Sequence, residues 1–202
     1  VIQIEKVQVQ NTRLLLDEDP KLELNIRPIG EQNLQGDLAL PKGTLLNAAC
    51  IGFLAGLGFT EIPVYSKPKI GIIVTGNELV TPGQPLTYGK IYESNSVMLQ
   101  TALREAFFTQ INTYAVNDNL KNTTQTIQQA LLENEVVLLS GGISVGDYDF
   151  VAQALKDLSV ETLFYKVKQK PGKPLFAGRL NDKMIFALPG NPAASLTCFY
   201  VY

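Results

Sequence analysis

The chain has 202 residues, of which 46% are hydrophobic and 18% charged, enough for one sizeable domain and part of another and too apolar for a disordered protein. Its formal net charge is −2 without any run of lysines and arginines, so there is no electrostatic footprint for nucleic acid. It contains no histidine, which excludes histidine-based catalysis and histidine-ligated zinc within these residues. No apolar stretch approaches the roughly 18–20 residues that span a bilayer, so no membrane partner is expected. Cys50 and Cys198 lie in apolar helical surroundings with no pairing pattern, as buried free thiols of a reducing, cytoplasmic compartment would. The sequence opens on Val1 and stops at Tyr202 inside an apolar helical pattern, and is expected to be a fragment.

In chain order, Val1–Val9, Leu14–Leu16 and Lys21–Ile26 alternate or cluster apolar residues around the acidic turn Asp17-Glu18-Asp19-Pro20. They predict three short strands, each with one face buried. Residues 31–66 change character: turn signals at Gln35-Gly36-Asp37 and Leu40-Pro41-Lys42-Gly43 precede a helix over Ala48–Leu57, capped by Asn47 and ended by Gly58. From Lys69 the rhythm is regular. Strands are expected at Ile70–Val74, Ile111–Val116 and Val136–Leu139, with helices over Asn95–Phe108 (apolar face Val97, Leu99, Leu103, Phe107) and Thr123–Leu132. Another helix follows Asp147, then an extended Thr162–Val167, a hairpin of Leu175–Gly178 with Met184–Leu188, and a last helix from Asn191. This order defines the α/β class, a mainly parallel sheet with helices on both faces and ligands at the carboxyl ends of the strands. The pattern divides the chain into 1–30, short strands of an incomplete sheet; 31–66, turns and one helix; and 67–202, the α/β domain.

Four loops fall at those strand ends. The central one is SGGISVGDYDF (140–150), where Ser140, Gly141, Gly142 and Ser144 follow a buried strand and Asp147 and Asp149 open a helix. Glycines there let backbone N–H groups approach an anion at a helix start, and acids beside them can hold a hard cation. Thr75-Gly76-Asn77-Glu78 follows the first strand of the domain and brings Glu78 within reach of the crevice. Asp118, past the next strand, either caps the following helix or faces the same crevice. The fourth region carries Lys170 and Lys173 in a proline-held KPGKP loop, then the rigid turn Pro189-Gly190-Asn191-Pro192 with Ser195 one helical turn on. Three carboxylates (Glu78, Asp118, Asp149) facing two lysines read as a metal-plus-anion site, because converging acids repel without a cation between them.

The segments TGNEL (75–79), PGQPL (82–86), GKIYESNS (89–96), SGGISVGDYDF (140–150), KPGKP (170–174) and LPGNPAAS (188–195) together resemble the molybdopterin molybdenumtransferase family, the MoeA proteins and the E domain of gephyrin. RPIG (27–30), LPKGTLL (40–46) and GFLAGLGFTEIPVY (52–65) extend the resemblance upstream. It implies insertion of molybdate into adenylylated molybdopterin with release of AMP, Mg2+ as the metal, an elongated homodimer, and a molybdopterin adenylyltransferase as upstream partner. It also implies that Glu78, Asp118 and Asp149 take the acidic active-site positions, Lys170 and Lys173 the basic loop, and Pro189 and Pro192 the PGNP turn. Asn77 and Asn119 stand where many bacterial members carry aspartate. The start of the family's chain and its C-terminal β domain, which also supply site residues, are expected to lie outside this sequence. The rival readings are a molybdopterin adenylyltransferase on the same fold, for which a TTGGTG-like loop is expected, and a gephyrin-like scaffold. A nucleotide-pyrophosphate hydrolase of the competence-damage type is a further one.

Overall fold

A computed structural model of the chain describes residues 1–16, 18–142 and 150–202. They form two compact units, Val1–Val64 and Tyr65–Tyr202.

In the first unit, β1 (Val7–Gln10) and β2 (Arg13–Leu16) pair antiparallel across a turn in which Asn11 takes a positive φ of 53°. Short polar side chains tolerate that conformation. The third expected strand does not form. Glu23 and Asn25 have φ of 62° and 58°, and Leu24 N and Ile26 N close tight turns onto the Lys21 and Glu23 carbonyls. The expected buried strand face is absent as well, since every residue of the hairpin except Val7 is exposed. A two-stranded ribbon has no second layer of its own to cover it. The helix α1 (Ala48–Gly56) has the expected signals: Asn47 Oδ1 accepts from Cys50 N at 3.0 Å, and Gly58 at φ +90° ends it. The bonds Gly58 N to Ala55 O and Phe59 N to Leu54 O satisfy its last carbonyls.

The second unit is built on one sheet. Its parallel strands are β3 (Ile70–Thr75), β6 (Ile111–Val116), β7 (Val136–Ser140) and β10 (Lys183–Leu188). β4 (Leu79–Val80) and β5 (Ile91–Tyr92) form a separate small pair. β8 (Glu161–Tyr165) and β9 (Phe176–Leu180) extend the main sheet antiparallel, giving the order β6-β3-β7-β10-β9-β8. The helices are α2 (Asn95–Glu105), α3 (Leu120–Glu133), α4 (Phe150–Asp157) and α5 (Pro192–Val201).

Both faces of the central strands are covered, which is why β3 and β7 read as unbroken apolar runs. Ile73, Val137, Leu139 and Ile185 pack with Ile127 and Leu131 of α3 and Val151 and Leu155 of α4. Ile72, Val74, Leu138 and Leu188 pack on the other face with Leu99 and Leu103 of α2 and Cys198 of α5. Two side chains assigned to the apolar face of α2 are exposed instead, Val97 and Phe107. The helix stops at Glu105, and Phe107 sits just past it at φ 63°, with Phe107 N on Arg104 O and Phe108 N on Leu103 O. Lys67 Nζ donates to the carbonyls of Ala106 and Phe107 and holds that end.

The helix after β3 lies on one face and the helix after β7 on the other. The crevice therefore opens between the carboxyl ends of these two adjacent strands.

Candidate functional site

Sheet register sets the loops side by side. Val74 of β3 pairs with Ser140 of β7, Ser140 with Leu188 of β10, and Thr75 with Val116 of β6. Phe176 of β9 pairs with Ala187 and with Tyr165 of β8, so the KPGKP loop between those strands leaves from the same edge. All four loops singled out in the sequence therefore start at one edge of the sheet.

The β3 and β7 ends are in close contact. Gly141 has φ +92°, and a Cβ on it would lie 2.4 Å from the Thr75 carbonyl oxygen. On Gly142, at φ +66°, a Cβ would meet Val151 Cγ2 at 2.6 Å and Thr75 Cγ2 at 2.9 Å. The turn keeps its shape and its closeness to β3 only with glycine at both positions. Ser140 is buried, and its Oγ accepts from Asn95 Nδ2 at 2.7 Å.

Asp118 belongs to the β3 end as well. Its Oδ1 accepts from Thr75 Oγ1 at 2.6 Å and its Oδ2 from Asn77 N at 3.1 Å, while Asp118 N donates to Asn77 Oδ1 at 3.1 Å. It is not the helix cap. Asn119 caps α3, its Oδ1 accepting from Asn122 N at 3.2 Å. Each carboxylate oxygen of Asp118 carries one of these donors and keeps lone-pair capacity for a hard cation. Glu78 is exposed, with both carboxylate oxygens 3.0 Å from where a Cβ on Gly76 would stand, so it turns back over the end of β3. Lys90 Nζ donates to Asn77 O at 2.6 Å and secures the same loop. An open cleft of ≈ 620 Å³ beside it is lined by Asp118, Asn119, Lys121, Thr124 and Phe150, among others.

Ser144, Asp147 and Asp149 lie outside the described residues. Among the described residues no group of three or more acids, cysteines or histidines is placed to hold a metal ion. Glu78 and Asp118 fit Mg2+ in donor chemistry, and the expected third acid, Asp149, belongs to the segment not described.

The PGNP turn differs in detail from expectation. Pro189 is buried, and Pro192 is the first residue of α5. Asn191 Oδ1 accepts from Ala194 N at 3.1 Å, so the cap residue itself takes up a donor expected to serve an anion. Ser195 is fully buried, and its Oγ has no partner among the described residues. Lys170 and Lys173 are exposed on a loop that leans on α5. There Gly172 is buried, Cys198 Sγ lies 3.6 Å from its carbonyl, and Gln169 Nε2 donates to Pro171 O at 2.9 Å. Burial pushes the Cys198 thiol above the ordinary range, which suits a packing role and not a nucleophile.

Residue-type reasoning did not single out Asn95, Asn77 or Lys90. Each makes contacts across the sequence that no local pattern announces, although Lys90 and Asn95 sit within GKIYESNS and Asn77 within TGNEL.

The glycine turn, the carboxylates and the adjoining lysine loop stand at the carboxyl edge of a doubly covered α/β sheet, where open sheets of this class bind their ligands. Residues 71–202 match the family described as the probable molybdopterin binding domain, and the chain belongs to it. It is similar to the molybdopterin molybdenumtransferase of Staphylococcus epidermidis, 36% identical over 203 residues covering 100% of this chain and 48% of that protein. Its counterpart in Haemophilus influenzae is 35% identical over 99% of this chain and 50% of that protein. The chain thus spans about half the length of the curated relatives it matches. A solved MoeA protein of molybdopterin biosynthesis from Pyrococcus horikosii superposes with a TM-score of 0.71 at 31% identity, covering 99% of this chain and 50% of that one. The Mog protein of Mycobacterium ulcerans, at 15% identity and a TM-score of 0.51, shares the fold alone.

Proposed function

We propose that this chain is the substrate-binding part of a molybdopterin molybdenumtransferase, a transferase that inserts molybdate into adenylylated molybdopterin and releases AMP. The observation that carries the reading is the meeting of Asp118 with Thr75 and Asn77 at the sheet edge that also bears the Ser140-Gly141-Gly142 turn. The adenylylated substrate carries a pyrophosphate, and this edge offers it backbone N–H groups from a glycine turn beside carboxylates for a cation. Glu78 and Asp118, with Asp149, would hold Mg2+, which when bound supplies positive charge against the pyrophosphate oxygens. Lys170 and Lys173 would draw in molybdate or the terminal phosphate as exposed point charges. Thr75 Oγ1 fixes the direction of the Asp118 carboxylate, and Gly76 gives Glu78 room to turn over the strand end. Cleavage of the pyrophosphate needs charge neutralisation more than proton transfer, in keeping with a chain that has no histidine.

We further read 1–30 as the tail of a small β domain, 31–66 as part of a helical dimerisation domain and 67–202 as the molybdopterin-binding domain. The enzyme would work in the cytoplasm as a homodimer, downstream of an adenylyltransferase. Among the described residues no helix is long and apolar enough to cross a membrane.

The test is AMP release by the full-length protein from adenylylated molybdopterin with molybdate and Mg2+, beside Asp149→Asn and Asp118→Asn. Molybdate-dependent release that both variants lose supports the transferase. Release without molybdate would mean a hydrolase. No release, with pterin binding and dimerisation intact, would favour a scaffold.

A further inference from the structure

GKIYESNS (89–96) contributed no expected site residue, yet its Asn95 touches two crevice turns at once. Asn95 Nδ2 lies 2.7 Å from Ser140 Oγ and 2.8 Å from the Gly190 carbonyl oxygen. That carbonyl can only accept, so the amide nitrogen must face it and the orientation of the side chain is fixed. The same nitrogen therefore donates to Ser140 Oγ. The hydroxyl is thereby an acceptor toward Asn95, and its own proton is left for another partner. Ser140 is only 2% exposed, so little solvent competes for that proton. The two turns are also neighbours in space, since a Cβ on Gly190 would stand 3.6 Å from Gly141 Cα. Asn95 Oδ1 is buried with no partner among the described residues. That desolvation is a cost which a residue serving only to start α2 would not carry.

We propose that Asn95 is a positioning residue of the anion site. Its amide holds the Ser140–Gly142 turn and the Pro189–Asn191 turn at a fixed separation and sets Ser140 Oγ as a hydrogen-bond donor toward the bound phosphate. The inference rests on the reading of this edge as a phosphate site. Asn95→Ala removes both bonds. Asn95→Asp sets a carboxylate against the Gly190 carbonyl and draws the Ser140 proton to itself, which is worse for an anion.

The experiment measures dissociation constants of the full-length protein for inorganic pyrophosphate and for adenylylated molybdopterin by calorimetry. The variants are Asn95→Ala, Asn95→Asp, Ser140→Ala and the double alanine variant. Asn95→Ala is expected to weaken both ligands about tenfold, and Asn95→Asp further. The double variant is expected to be no weaker than the poorer single one, because both residues act through one donor. Unchanged affinity in Asn95→Ala, or strictly additive losses in the double variant, overturns the proposal. Should Asn95→Ala fail to fold, Ser140→Ala carries the test, since it removes the hydroxyl and leaves the Gly190 contact; full affinity there also overturns it. Wild-type binding of pyrophosphate but not of the pterin would sink the substrate reading and leave Asn95 to be judged on pyrophosphate. Binding of neither would sink both.

Discussion

Leu14, Leu15 and Leu16 of β2 are as apolar as Ile70, Ile72 and Ile73 of β3, yet the first three are exposed and the second three buried. Both segments are strands, so their local chemistry succeeded equally. β2 needs only a turn and one partner strand. β3 is flanked by β6 and β7 and packed between α2 on one face and α3 on the other. Hairpin closure makes a strand, and only a second layer makes it part of a core.

The largest expected effect follows from the closeness of the second unit's strand ends. Gly141→Ala should destabilise the Tyr65–Tyr202 unit by at least about 4 kcal/mol, because its Cβ meets a backbone carbonyl and its φ is forbidding. Gly52→Ala in α1 has no atom within 4 Å of the new Cβ, and should stabilise the first unit by about 0.5–1 kcal/mol. Urea unfolding followed at a probe in each unit reads both, and equal effects would break the contrast.

Next comes truncation of the core itself. Ile73→Ala removes a fully buried side chain shared by the sheet and α3, and should cost about 3 kcal/mol. Leu15→Ala at the exposed hairpin should stay within about 0.5 kcal/mol. A Leu15→Ala loss comparable to that of Ile73→Ala would mean that the hairpin is covered in the protein as it unfolds.

The same contrast explains what was legible in the sequence. Elements of the second unit could be read because pattern and burial agree: the apolar runs at Ile70 and Val136 are apolar precisely where both faces are covered. Caps could be read where their chemistry is local, as at Asn47 and Gly58, whereas the cap at Asn191 emerged only from the structure. The strand expected at Lys21–Ile26 rests on alternation alone, and every residue of that segment is exposed, so no buried face enforces an extended chain over the turns at Glu23 and Asn25. For the site, the loops could be placed, since strand ends in an α/β sheet lie at one edge. Their cross-links could not. Asp118 holds Thr75 and Asn77 across a wide sequence separation, and Asn95 joins two turns that no spacing rule connects. Asn77 and Asn119 read from the resemblance as departures. The structure gives both a function, one paired reciprocally with Asp118 and the other capping α3.

Caps sharpen the comparison from the other side, because a local bond should be worth the same in either unit. Asn47→Ala and Asn191→Ala each remove one acceptor for a helix N–H and should each cost about 1 kcal/mol. A cap worth several times more in the second unit would show that Asn191 also supports the Gly190 turn and not its helix alone.

The smallest effect lies at the opposite edge of the second unit's sheet, where Tyr114 OH donates to Glu133 Oε2 at 2.6 Å and accepts from Asn134 Nδ2 at 3.0 Å. Burial, then the bond to Glu133, raises the Tyr114 phenol above its ordinary value of 10.0. The hydrogen bond from Tyr114, then that from Gln129, lowers the exposed Glu133 carboxyl below its ordinary 4.5. A lowered acid contributes stability that is present above its unfolded value and lost as pH falls through the folded one. A raised phenol contributes stability that is present below its unfolded value and lost as pH rises through the folded one. The advantage of wild type over Tyr114→Phe should therefore be widest between about pH 5 and pH 9, narrowing below pH 4.5 and above pH 10. Urea midpoints of the two proteins at pH 3.5, 7 and 10.5 read it directly. A constant gap across that range would mean that Tyr114 acts only by filling space against Asn134, and that this edge of the sheet is held, like the hairpin, by local bonds without an ionic component.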